Sequence, residues 1–587
     1  MGRDLNRRSF LGGGASILGA ALLPADTFAA TTIADEAEQA TPGALDQFAL
    51  AYMQQMHAPG MTVGLISGND VALHAYGYSD LAAKAPVEVA QPFWIGSICK
   101  SFVGIVAMQL RDEGKLDLHK PVLEIMPDLP FTDSFGKVTA HHLLTHTSGL
   151  PSWLQLVASC PSQRATQAYK PGERFVYCNL GYDTLGLLIG HLDGRSWAES
   201  VTSRVLKPLG MTSSTGHIDD AVQARMPVGY HVQYRDRPST VADPLVAVGY
   251  VTMSNAAGSI AAPSGDMCKY MRMLLARGQG PRGRIVSEEG FKLFSTPYIK
   301  APDLSPSASY GYGIGVETIE GRTMLRHTGG TTACASSILV DLDGGVGAFA
   351  SINAMQGYRP NPVTRFAVDL LYAKRSALSV PAAPAIDDPL AVAAPESFAG
   401  RYKTVSGDML TVAASDRGLT ITTALGTSRL RPLGKDTFSA ADDSVLSSAG
   451  RPHVPSEFAL VFERSNNGST AKDAVVTGIG YGPRWYMSEQ HPGVAASPAF
   501  DRAERYTGVY SNDSPWINVV RVVERNGKLW LDGTEYMRPI DTDRFSIDGG
   551  EGTLELGFRS FLGQRAQVVD MGGEVLRRVA LGSDNQG

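Results

Sequence analysis

Ser97-Ile98-Cys99-Lys100-Ser101-Phe102-Val103-Gly104-Ile105-Val106-Ala107-Met108-Gln109-Leu110 is the stretch whose reading decides the fold. Apolar side chains at 102, 103, 105, 106, 108 and 110 predict a buried helix, with Gly114 as its C-terminal cap. Ser97 and Lys100 are three positions apart and share one face of it. A hydroxyl at a helix start gains from the positive dipole end as it becomes an alkoxide. A desolvated lysine amine is able to lose its charge and take up that proton.

Ser-x-x-Lys alone is weak. Ser134-Phe135-Gly136-Lys137 has the same spacing but sits among turn formers with no apolar helix behind it. Tyr177-Cys178-Asn179 has a second copy in Tyr510-Ser511-Asn512, and His327-Thr328-Gly329 has one in His491-Pro492-Gly493. Only the first copies follow one another in a single block, which alternates helical and strand patterns from 41 to 375.

Within that block further segments accompany them: His142-Leu143-Leu144-Thr145-His146-Thr147-Ser148-Gly149-Leu150-Pro151, Asn179-Leu180-Gly181-Tyr182, Leu206-Lys207-Pro208-Leu209-Gly210-Met211 and Tyr310-Gly311-Tyr312-Gly313. With these, residues 45 to 375 resemble the β-lactamase and penicillin-binding-protein-like serine hydrolases. The resemblance implies an α+β fold: an antiparallel sheet flanked by helices, plus an all-helical region, with the site between them. It implies that Ser97 attacks the acyl carbon and that Lys100 and Tyr177 share the general-base work and protonate the leaving group. Asn179 would orient Lys100 and the substrate amide. His327 would face the cleft from a strand edge, followed along the substrate by Thr328, Gly329 and Gly330. The N–H groups of Ser97 and Gly330 would form the oxyanion hole.

The chain departs from the family pattern in three places. Cys99 and Cys178 stand where Thr and Ser are frequent, and both are expected to pack away from Ser97. Cys99 has no histidine base in any motif and is set aside as a nucleophile. His327 stands where well-known penicillin targets carry lysine. A lysine there is a fixed cation for a substrate carboxylate, whereas histidine is mostly neutral near pH 7. Family members with histidine at this place include D-aminopeptidases and carboxylesterases.

Beyond 375 comes a segment rich in Ala and Pro, 376–395, which reads as a linker, and then β-rich sequence. That tail repeats itself. Phe398-Ala399-Gly400-Arg401-Tyr402 resembles Tyr506-Thr507-Gly508-Val509-Tyr510, and Leu430-Arg431-Pro432-Leu433 resembles Met537-Arg538-Pro539-Ile540. Two all-β domains are expected, 396–498 and 499–587, each a barrel or a sandwich. A catalytic domain followed by two such domains resembles the D-aminopeptidase architecture, in which a tail loop restricts the active site.

At the other end, Asn6-Arg7-Arg8-Ser9-Phe10-Leu11 precedes a Gly/Ala-rich apolar stretch and small residues through Ala30. Residues 1–30 read as a twin-arginine export signal, and the expected location is periplasmic or secreted, without a stable membrane span after cleavage. The rest of the composition fits an exported globular enzyme. With 52 basic and 58 acidic residues among 587, and no basic run, nucleic acid is not an expected partner. Five cysteines, none in Cys-x-x-Cys, leave at least one thiol free. His142 and His146 are four apart, but no His-Glu-x-x-His occurs, and neither a metal nor a cofactor is expected. Gly-x-Ser-x-Gly, which an α/β-hydrolase requires, is absent. The expected activity is acyl transfer from Ser97 to water on a small-molecule or short-peptide substrate, as a D-aminopeptidase-like peptidase. A carboxylesterase, a β-lactamase and a DD-carboxypeptidase remain as alternatives, ahead of a non-catalytic peptidoglycan- or β-lactam-binding protein.

Overall fold

The structure is a computed structural model. It describes residues 30–33 and 42–579 except 130, 151–164, 168, 234–235, 251, 303, 417, 447–456, 466–474, 492–496, 513–518, 550–551 and 572–573. Residues 1–29, all but the last of the segment 1–30 that reads as an export signal, and Cys160 lie outside the described residues.

A ten-stranded antiparallel sheet organises the first part of the chain. Its order runs Ala30–Ile33, Asp70–Asp80, Gly60–Ser67, Val346–Ile352, Ala335–Asp341, Arg322–Gly330, Gly315–Ile319, Ser309–Tyr310 and Ile299–Lys300, with Ala85–Pro86 beside Asp70–Asp80. Central strands are apolar on both faces because helices cover both. Along Val346–Ile352, Phe349 packs into one core with the helices Cys99–Asp112 and Ser264–Leu275. Its neighbours Ala348 and Ala350 pack into the other, with Pro42–Gln55 and Asn361–Arg375. The first core continues into a helical region that includes Asn179–Asp193, which ends on Gly194 in the left-handed conformation. This is the sheet-plus-helical-region fold that the motifs implied.

The tail forms two closed eight-stranded barrels rather than sandwiches. Pairing of Tyr402 with Ser488 closes the first, and pairing of Tyr510 with Arg578 closes the second. Alternating side chains such as Leu410 and Val412 fill the interior. The internal repeat is structural. Tyr402 Oη donates to the carbonyl of Phe398 at 2.8 Å, and Tyr510 Oη donates to that of Tyr506 at 2.7 Å. Pro432 pairs with Phe438 as Pro539 pairs with Phe545. Between helix Asn361–Arg375 and the turn Pro395–Phe398 the backbone has no regular secondary structure.

Three arginines tie these parts together. Arg525, fully buried, donates through Nη1 to the carbonyls of Gly482 in the first barrel and Gly533 in the second. Arg431 of the first barrel pairs with Asp243 at 2.8 Å. Arg521 of the second donates twice to Asp236, to its carbonyl and its carboxylate, each at 2.7 Å. Asp236 and Asp243 both lie between the paired strands Gly229–Val232 and Leu245–Val248 of the first part.

Candidate active site

Ser97 sits in a short 3-10 turn, Gly96–Ile98, that leads directly into helix Cys99–Asp112. The hydroxyl therefore stands just before the α-helix and not in its first turn. Two glycines make the approach. Gly96 has φ +55, and a Cβ there would stand 2.8 Å from the backbone nitrogen of Gly330. A Cβ on Gly329 would collide with the carbonyl oxygen of Ile95. Only with hydrogen at both positions does the strand Arg322–Gly330 reach the turn that carries Ser97.

That strand is a local edge at its end. Its neighbour Gly315–Ile319 stops opposite Arg326, so residues 327–330 pair only with Ala335–Asp341 in the sheet. Around this edge Ser97, Tyr177, Asn179, Thr328 and Gly330 are partly exposed, whereas Lys100 and His327 are buried.

Lys100 is fully buried, and its Nζ has three neighbours. It lies 2.9 Å from Ser97 Oγ, 2.7 Å from Asn179 Oδ1 and 2.9 Å from the carbonyl oxygen of Ala257. The last two oxygens only accept hydrogen bonds. Of the three neighbours, only the Ser97 hydroxyl also carries a proton that it could hand to Nζ. The Ala257 carbonyl is itself placed by Asp183, whose Oδ1 accepts the Ala257 N–H at 3.0 Å one turn beyond Asn179. Nζ also stands 4.9 Å from the centre of the Tyr177 ring.

His327 differs from the expectation. It does not project freely into a cleft. It is 2% exposed, its Nε2 lies 2.8 Å from Tyr310 Oη, and its Nδ1 lies 2.6 Å from the Thr328 carbonyl. Burial, reinforced by the nearby Lys100, holds its pKa down at about 3. The imidazole is neutral and supplies no fixed charge. A guanidinium does approach Gly330: a Cβ there would stand 2.9 Å from Cζ of Arg359. Arg359 follows the last sheet strands and precedes helix Asn361–Arg375.

Cys99 and Cys178 are buried, as their packing role requires, and burial pushes both thiols up to about 12. Cys178 Sγ caps helix Asn179–Asp193 by accepting the Gly181 N–H. The second motif copies lie elsewhere. Ser134 Oγ is 3.0 Å from Thr132 Oγ1 in an exposed turn, and Tyr510 belongs to the second barrel. Among the described residues no three His, Cys, Asp or Glu are placed to hold a metal ion, and no helix is long and apolar enough to cross a membrane.

Four contributors escaped the sequence reading. Tyr310 and His146 stand inside quoted segments, but nothing in the spacing gave them a task. Asp183 lies in the helix that follows the tyrosine motif, and Ala257 contributes a carbonyl with no side-chain signature.

The Beta-lactamase family model matches residues 45–373, more than half of the chain. Protein flp of Staphylococcus aureus is 30% identical over 196 residues, 31% of this chain and 39% of that protein. An uncharacterized protein of Mycobacterium tuberculosis, MT1414, is 27% identical over 260 residues, 38% of this chain and 63% of that protein. The matched region thus spans less than two thirds of these relatives. Among solved structures, the octameric penicillin-binding protein homologue from Pyrococcus abyssi superposes with a TM-score of 0.51 at 23% identity, covering 76% of this chain and all of that one, which is a likeness of fold. By the extent of the family match, this chain belongs to the Beta-lactamase family of serine hydrolase fold.

Proposed function

We propose that this protein is a serine acyl hydrolase that forms an acyl-enzyme on Ser97, and that its substrates are amides of D-residue-containing or cell-wall-type peptides. The observation that supports the chemistry is the environment of Lys100 Nζ, between two acceptor-only oxygens and the Ser97 hydroxyl. In this reading Lys100 takes the Ser97 proton as Oγ bonds to the acyl carbon. The N–H groups of Ser97 and Gly330 bind the oxyanion, with Thr328 and Gly329 continuing that strand along the substrate. Lys100 and Tyr177 return the proton to the leaving nitrogen, Asn179 keeps Nζ in place, and water releases the acyl group.

The choice of substrate draws on His327. A buried neutral imidazole tied to Tyr310 gives no charge for a free C-terminal carboxylate, which favours a D-aminopeptidase-like or esterase-like enzyme. A second reading is favoured by Arg359. A guanidinium against Gly330 suits a carboxylate-bearing substrate, as a β-lactamase or DD-carboxypeptidase takes. Export by the twin-arginine route is part of the proposal and rests on Arg7 and Arg8.

The test is a substrate panel on purified protein: D-Ala-p-nitroanilide, p-nitrophenyl acetate, nitrocefin and a D-Ala-D-Ala peptide. Turnover of the anilide with little turnover of the last two supports the first reading, and the reverse order supports the second. A single acylation without turnover on any of them overturns both in favour of a binding protein.

A further inference from the structure

His146 belongs to no step above, yet its place in the structure is a costly one. It is a non-glycine residue at φ +57, a region that disfavours a side chain, and it is only 1% exposed. Two hydrogen bonds explain its position. Its carbonyl oxygen accepts the N–H of Val176 at 2.9 Å, and its ring Nδ1 accepts the N–H of Cys178 at 2.9 Å. Backbone and side chain of one residue thus grip the chain on either side of Tyr177. The imidazole also lies against the Tyr177 ring, with centres 4.3 Å apart and planes 32° from parallel. Tyr182 and Tyr310 each stand 4.9 Å from the same imidazole, and Tyr310 reaches on to His327.

We propose that His146 is a positioning residue: it holds Tyr177, and through the Cys178 amide the start of the Asn179 helix, in register with Lys100. The tautomer follows from the geometry. Because Nδ1 accepts a backbone N–H, the ring proton is on Nε2, and Nδ1 is not free to act as a base. Burial and the nearby Lys100 hold the ring in this neutral form, with a pKa well below the ordinary histidine value. A phenyl ring would fill the space but would leave the Cys178 N–H buried without its acceptor. Asparagine would keep an acceptor close to the Nδ1 position and tolerates the left-handed backbone.

The inference rests on the reading of Tyr177 as a proton carrier, so the experiment separates the two. kcat/KM is measured on the full chain for an ethyl ester and a p-nitrophenyl ester of the same acid. The ethyl ester needs its leaving group protonated, whereas p-nitrophenolate does not. His146→Phe and His146→Asn are made in the natural chain and in Tyr177→Phe. In the natural chain His146→Phe is expected to lower ethyl-ester kcat/KM about 30-fold, with a several-fold smaller loss on the aryl ester. His146→Asn is expected to stay within about 5-fold of the natural chain, and in the Tyr177→Phe background both variants within about 3-fold of their parent.

Equal losses on the two esters, or equal losses in the two backgrounds, overturn the proposal and leave His146 a packing residue. If His146→Phe fails to fold, the asparagine variant decides: a large loss at unchanged melting temperature overturns it. If Tyr177→Phe itself leaves the ethyl-ester rate unchanged, the reading of Tyr177 falls, and the inference with it.

Discussion

Lys100 Nζ stands 2.9 Å from Ser97 Oγ, while the identical spacing at Ser134 and Lys137 brings no such contact. Lys137 reaches back to Asp133 at 3.6 Å, and both Ser134 and Lys137 are surface residues. The difference is the helix. Cys99–Asp112 buries Lys100 and turns it toward the serine, whereas a turn leaves its lysine in water.

Ser97→Ala is therefore expected to eliminate turnover of any reporter substrate, with a loss of at least about 10³-fold, because nucleophile and base act as a unit. Ser134→Ala is expected to leave kcat/KM within about 2-fold. Lys100→Ala should approach the first result and Tyr510→Phe the second, whereas Tyr177→Phe should lose far less on p-nitrophenyl acetate than on an alkyl ester, whose leaving group must be protonated. Steady-state kinetics on p-nitrophenyl acetate, with mass-spectrometric detection of the acylated serine, makes the comparison. Similar activities for Ser97→Ala and Ser134→Ala would remove Ser97 from the mechanism.

His327 sets an acid limit on stability rather than on catalysis. Its folded pKa of about 3 lies below the value near 6.5 of an unfolded histidine. Between those values the unfolded chain binds a proton that the folded chain refuses. The stability is complete above pH 6.5 and is lost as pH falls toward 3, at up to about 1.4 kcal/mol per pH unit. His327→Gln should lose less stability than the natural chain between pH 7 and pH 5, read as the shift in urea midpoint. Its pH–rate profile over the same range should run parallel to that of the natural chain. A histidine titration that disappears from the profile in His327→Gln would show that the ring changes charge during catalysis.

The parts of the site carried by periodicity were legible in the sequence. Ser97, Lys100 and Asn179 converge because each sits at the start of an apolar helix with a strong pattern. The burial of His327 was not legible, since it depends on Tyr310 arriving from another strand of the folded sheet. The Ala257 carbonyl left no trace, because a backbone oxygen is the same in every residue. Alternation in the tail predicts strands but not their closure. That rests on pairings such as Tyr402 with Ser488, which join the first and last strands of a barrel.

Arg359 decides between the two substrate readings. If a carboxylate is bound there, Arg359→Ala should lower kcat/KM for nitrocefin or a D-Ala-D-Ala peptide by about 10- to 100-fold, the value of one charge-assisted contact. The same change should alter p-nitrophenyl acetate turnover by less than about 3-fold, because that substrate has no carboxylate. Equal losses on both would assign Arg359 to support of the Gly330 strand, a role consistent with its own bonds to the Tyr358 carbonyl and Met355 Sδ.

The barrels contact the first part of the chain at the segment between Gly229–Val232 and Leu245–Val248. Arg521 and Arg431 hold its two aspartates, Asp236 and Asp243. Strand Gly229–Val232 pairs in turn with Ala354–Met355, just ahead of Arg359, and Gly229 packs against Ala333 beside the Gly330 strand end. A route therefore exists from the tail to the site without any tail residue carrying chemistry. The prediction is that the tail sets substrate size by fixing this segment. The double variant Arg431→Ala/Arg521→Ala should accept bulkier acyl groups. Its kcat/KM ratio for p-nitrophenyl hexanoate over acetate should rise by about 3-fold or more, while covalent labelling of Ser97 by a small acylating reagent is unchanged. The Arg431 pair is partly buried but Arg521 is buried, so the melting temperature should fall by several degrees, and folding of the variant is checked first. A folded variant that keeps the original ratio would exclude this route. A variant that folds but no longer labels would show instead that the clamped segment completes the site.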